Sequence, residues 1–187
     1  MISYLKGKII LKKEKFIILD VNNIGFKIFV SQKTLEKLNE NTNAEIFCYL
    51  NVKENALDLY GFLYLEELNL FEIVNNIPGV GPKIATEIAS FKTLEELKKR
   101  IEEKGERSFE GIPGIGRKKA QTIILEISGI MKEISKQKNE EKKDEEAEKA
   151  LKNLGFSRNQ IKEALSKIPQ NINTEEKIKE ALKILGK

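Results

Sequence analysis

One nine-residue phrase occurs twice in this chain, and each time it dictates a turn. Ile77-Pro78-Gly79-Val80-Gly81-Pro82-Lys83-Ile84-Ala85 returns 35 residues later as Ile112-Pro113-Gly114-Ile115-Gly116-Arg117-Lys118-Lys119-Ala120, with six of nine positions identical. Each copy follows one apolar helical pattern and opens another, which predicts two helices joined by a glycine–hydrophobic–glycine hairpin. The glycines let the chain turn tightly and bring bare backbone close to a ligand. The helix beyond then begins with unpaired N–H groups and the positive end of its dipole, a seat for phosphate. Gly79, Gly81 and Lys83 in the first copy, and Gly114, Gly116, Arg117 and Lys118 in the second, are the candidate contacts. A single turn of this kind is weak evidence, because glycine commonly ends helices. The matched pair is strong evidence. A repeat kept for packing or protein contacts is the competing reading. Two clamps on nucleic-acid backbone, which fix position without reading bases, are the reading carried forward.

Charge alone does not carry that reading. The 187 residues have a net charge of only +4, and residues 63–134, which hold both hairpins, have 11 basic and 12 acidic side chains. Contact with DNA there must come from local geometry rather than bulk attraction. No histidine is present and Cys48 is alone, so neither an ordinary zinc site nor an internal disulfide is expected. No apolar run approaches the ~20 residues that span a bilayer, and the N-terminus lacks a signal-peptide pattern. A reducing cytoplasm is the expected setting, with no membrane partner.

The expected fold class is multidomain α+β, in three pieces and a connector. Residues 1–62 hold five short β-branched and aromatic runs, at 8–11, 16–21, 25–30, 45–52 and 57–62, with Asn22-Asn23 as a turn and a small helix at 32–38. Such a pattern suits a small closed barrel of the oligonucleotide-binding (OB-fold) type. Residues 63–134 switch to helical period around the hairpins, a tandem helix-hairpin-helix domain. Thr93 and Glu96 are spaced as a capping box. Residues 135–146 contain no apolar side chain and read as a charged flexible linker, or as a solvated extension of a helix. Residues 147–187 then give three short amphipathic stretches, a three-helix bundle suited to binding another protein.

This order of parts resembles the RuvA family of Holliday-junction-recognition proteins, from Met1 to the final helix. The resemblance rests on the paired PGVGPK and PGIGRK phrases and on Val52-Lys53-Glu54-Asn55-Ala56 leading into Leu59-Tyr60-Gly61-Phe62. It implies a non-catalytic subunit without cofactor that acts in DNA recombination, DNA damage repair and the SOS response. It implies a homotetramer that holds a four-way DNA junction open and square, and leaves open whether one tetramer or an octamer of two encloses it. The implied partners are a RuvB-type hexameric ring ATPase, which drives branch migration while the tail docks on it, and a junction-resolving endonuclease. The family's acidic turn at the junction centre falls on Glu54 and Asn55, where Asn55 replaces the usual second acid. Halving that charge weakens strand separation or tightens junction binding, and the sequence leaves both open. Leu151, Leu154, Phe156 and Leu182 are the motor-docking candidates, although their period fits core packing equally well.

No Gly-rich loop ending in Gly-Lys-Ser/Thr occurs, so ATP hydrolysis is not assigned to this chain, and no nucleophile–base set stands out. Two alternatives remain: a hairpin-containing accessory subunit of a repair nuclease that grips ordinary duplex, and a DNA glycosylase or lyase. The second needs a catalytic Lys or Asp after a hairpin, and the helix after Gly116 carries Glu126 as its first carboxylate.

Overall fold

Alternation of apolar and polar residues puts every second side chain of a strand on one face, and in the first 62 residues that face closes on itself. The computed structural model describes residues 1–169 and 172–186, the side chains of 139–143 excepted. Its strands are β1 (Tyr4–Lys13), β2 (Phe16–Val21), β3 (Ile24–Phe29), β4 (Asn43–Lys53) and β5 (Ala56–Phe62). They form a closed barrel in the order β1-β2-β3-β5-β4, with β3 and β5 parallel and the other neighbours antiparallel. Ile9, Ile17, Leu19, Ile28 and Ile46 fill its interior without any exposure. The β2–β3 connection is made by Asn22 and Asn23, whose φ angles of 53° and 67° are those of a tight hairpin turn. Helix α1 (Gln32–Lys37) follows β3, and the Ser31 hydroxyl caps its start by accepting from the Thr34 amide. Gly61 is required by closure: a Cβ there would lie 2.5 Å from Ile28 Cγ2 and 2.7 Å from Ile46 Cγ2.

The helical period after Phe62 gives α2 (Leu65–Asn75), α3 (Pro82–Ala89), α4 (Leu94–Lys104), a 3-10 turn (Gly105–Phe109) and α5 (Arg117–Asn153). Phe71 of α2 fastens these helices to the barrel. It is fully buried, with Tyr49, Phe62 and Tyr60 ring centroids at 4.8, 5.0 and 6.0 Å. Residues Met1–Ser128 therefore make one compact unit, with barrel and hairpins together. The Thr93 half of the expected capping box is present, its hydroxyl accepting from the Glu96 amide.

The second compact unit is Gly129–Lys187. The charged segment 135–146 has helical backbone within α5, the second of the two forms the sequence allows. Lys and Glu are good helix formers, and a helix already nucleated upstream extends through them at little cost. The first of the three expected tail helices is accordingly the end of α5 rather than a separate element. The others are α6 (Arg158–Ser166), opened by a full Ser157–Gln160 capping box, and α7 (Thr174–Leu185). Leu151, Ile161, Ala164, Ile168 and Ala181 form the tail's core. Lys177, almost fully buried, is ion-paired with Asp144 of α5, and Thr174 Oγ1 donates to Glu146 Oε2 at 3.3 Å.

Candidate nucleic-acid interface

Both repeats fold into the same turn. The Val80 amide donates to the Ile77 carbonyl at 3.0 Å, and the Ile115 amide to the Ile112 carbonyl at 3.3 Å. Gly79 and Gly114, third in each turn, have φ of 80° and 88°. That is the type II pattern, with proline second and a positive φ third, where glycine escapes the Cβ clash. Ile77 and Val80 are buried anchors, so Gly79 and Gly81 are left on the surface. The second hairpin is shallower, with Ile112 and Ile115 half-buried and Gly114 and Gly116 exposed. The two hairpins meet: a Cβ on Gly114 would touch Ile84 Cδ1 of α3 at 3.4 Å. Around Gly79, Gly81 and Gly116 there is open space instead.

Four helix starts elsewhere in the chain are closed by side chains; α2, with Tyr64 at its N-cap, is not, and neither are the two hairpin helices. Ser31, Thr93, Ser157 and Asn173 each accept from a first-turn amide of α1, α4, α6 and α7. The N-cap of α3 is Gly81, which offers no side-chain oxygen. Gly116 precedes α5 in the same way, its carbonyl taking the Ala120 amide at 3.0 Å. First-turn amides at both sites thus face outward with the positive end of the helix dipole behind them.

Lys83 and Lys118 are exposed beside these starts, and among the described residues neither makes an ion pair. Glu87 is one helical turn from Lys83, the usual place for a partner. Its carboxylate is instead turned to the barrel, where both oxygens accept from the Gln32 amide at 3.3 Å. Arg117 differs. Its Nε donates to Glu106 Oε2 at 3.0 Å, while Gln121 Nε2 donates to Glu106 Oε1 at 2.6 Å. The 3-10 turn that carries Glu106 is fixed to α4 by a reciprocal pair: Ser108 Oγ to the Arg100 carbonyl at 2.9 Å, and Arg100 Nε to the Ser108 carbonyl at 3.0 Å. Sequence reasoning missed Glu106. Its only signal is Gly105, which ends α4 and turns the chain back toward the second hairpin.

The remaining candidates lie apart from the hairpins. Glu54 and Asn55 form the exposed turn between β4 and β5. Asp58 is paired with Lys53 at 3.3 Å, so its charge is already compensated and does not make up for Asn55. In the tail, Leu151 is fully buried, Phe156 and Leu182 pack half-buried on the same core, and Leu154 is 60% exposed. Cys48 is enclosed in the barrel, and burial pushes its thiol up to about 12, which keeps it from serving as a thiolate. No helix among the described residues is long and apolar enough to cross a membrane.

Three family models cover the chain in the order of its parts. RuvA N terminal domain matches residues 1–61, SAM-like Helix-hairpin-helix tandem residues 71–128, and RuvA, C-terminal domain residues 143–186. The Holliday junction branch migration complex subunit RuvA of Thermodesulfovibrio yellowstonii is 38% identical over 187 residues, spanning 100% of this chain and 97% of that protein. The subunit of the same name from Clostridium botulinum (strain 657 / Type Ba4) is 36% identical over 197 residues, with 100% of both chains covered. That of Rickettsia felis is 38% identical over 197 residues, covering 98% of this chain and 97% of the relative. With a closed barrel, tandem hairpins and a helical tail in that order, the chain belongs to the RuvA family of Holliday junction branch migration complex subunits.

Proposed function

We propose that this chain binds four-way DNA junctions as a homotetramer, holds them open and square, and couples through its tail to a RuvB-type hexameric ATPase in the bacterial cytoplasm. The observation that carries the reading is the pair of glycine-opened helix starts on one compact unit, each with an exposed lysine beside it that makes no ion pair among the described residues. Gly79, Gly81, Lys83, Gly114, Gly116, Arg117 and Lys118 are the backbone contacts in this reading, and they carry no sequence information. Four identical subunits suit a four-armed substrate, one arm to each. Val52 and Leu57, opposite one another beside the Glu54-Asn55 turn, are 68% and 71% exposed. That is apolar surface which a neighbouring subunit would cover. The chain itself supplies no catalysis; the motor docks on the tail, where Leu154 is the one exposed candidate of the four.

Titration of the purified protein against a four-way junction and a linear duplex of equal length, with mass measured by light scattering, tests this. Much tighter junction binding by a species of four chains is expected. Equal affinity for both DNAs would reject the junction reading in favour of a duplex-gripping accessory.

A further inference from the structure

The two hairpins are near-copies in sequence and unequal in electrostatics. At the first, the acid that could neutralise Lys83 is occupied by the Gln32 amide. At the second, the Glu106 carboxylate sits on Arg117 and is held there by Gln121. The recess beside Gly116 is lined by Glu106, Arg107, Glu110 and Arg117, so two carboxylates flank this seat. Arg117 remains 81% exposed, so its remaining N–H groups are accessible and the pair is easily broken.

From this we infer that Glu106 is an internal competitor for Arg117: it occupies the guanidinium at the rim of the second hairpin and makes that phosphate seat the weaker of the two. The inference rests on the reading that the hairpins hold DNA backbone. When a phosphate arrives, Arg117 either stays with Glu106 or leaves it. If it leaves, Glu106 must take up a cation from solution. Arg117 therefore adds nothing net to counterion release while Glu106 is charged. Glu106 acts through Arg117 and is a positioning residue in this scheme.

Glu106→Gln keeps the size and one of the two acceptor oxygens but removes the charge. In full-length protein titrated with a labelled four-way junction, this variant is expected to bind tighter, by up to about fivefold for each site engaged. Its log K against log salt line should steepen by about 0.9 for each arginine released. The decisive comparison is Arg117→Gln against Glu106→Gln/Arg117→Gln. Glu106 removal should tighten binding only where Arg117 is present. Equal tightening in both backgrounds would overturn the inference, since the carboxylate would then act as a general repulsive charge. Unchanged binding by Glu106→Gln, with Lys83→Ala weakened, would overturn it too while leaving the hairpin reading in place. If neither Glu106→Gln nor Lys83→Ala alters binding, both fall together.

Discussion

At the scale of single residues, the glycines of one hairpin do two different jobs. Gly79 has φ of 80°, so any side chain there strains the backbone of the turn. Gly81 has φ of −90°, which every residue tolerates, and open space where its Cβ would be. Its backbone does not require glycine, and under the proposed function its smallness serves close approach of a phosphate. Gly79→Ala is therefore expected to destabilise the fold by about 1–2 kcal/mol, the cost of a left-handed alanine. Gly81→Ala is expected to melt like the parent protein yet bind junction DNA about tenfold more weakly, a displacement of phosphate worth about 1.4 kcal/mol. Urea midpoints and a DNA titration on the same two samples separate these outcomes. A Gly81→Ala protein that binds as tightly as the parent would remove the hairpin from the DNA interface.

At the scale of elements, two carboxylates brace the helices, Glu67 at the start of α2 and Glu87 between α3 and α1. Glu67 accepts from the Leu63 amide at 3.1 Å, and Glu87 from the Gln32 amide. Burial raises both above the ordinary carboxylate value near 4.5, even though these amides, and for Glu67 also Lys37 and Lys92, pull the other way. A raised folded value means that the native state keeps a proton the unfolded chain has already lost. Their contribution is thus fully present below the unfolded value and is lost as pH rises through the folded one. Glu67→Gln and Glu87→Gln should each shrink the loss of stability between pH 4.5 and pH 7, read as the urea midpoint relative to the parent. An unchanged loss would mean that burial is not acting on that group. The same contacts show which parts of the fold were legible in the sequence. Strand runs, the Asn22-Asn23 turn and both hairpins are written in local period and in residues with special backbone freedom. The Glu87–Gln32 bond joins residues 55 apart, and Gln121 reaches Glu106 across 15. No periodicity announces such pairs, because they exist only once the elements pack. The tail candidates were ambiguous for a related reason: core and docking leucines share one helical period, and only burial separates Leu151 from Leu154.

At the scale of the whole molecule, the division into Met1–Ser128 and Gly129–Lys187 sets what can be removed without damage. Every candidate DNA contact falls in the first unit, and α5 begins there and ends in the second. The tail's own packing reaches back before residue 147, since Asp144 pairs with the enclosed Lys177 and Glu146 accepts from Thr174. Asp144→Asn in the full-length chain weakens a charged partner of a buried ammonium, a change that costs about 1–3 kcal/mol. Because the barrel makes no use of this pair, the loss should be confined. Amides of α7 should exchange with solvent about ten- to a hundredfold faster, while those of β1 to β5 keep their protection and junction affinity stays at the parent value. Faster exchange throughout the barrel would mean that the two units unfold as one. Undiminished protection of α7 would mean that the Asp144–Lys177 pair contributes nothing to the tail, and the natural start of that unit would then lie after residue 146.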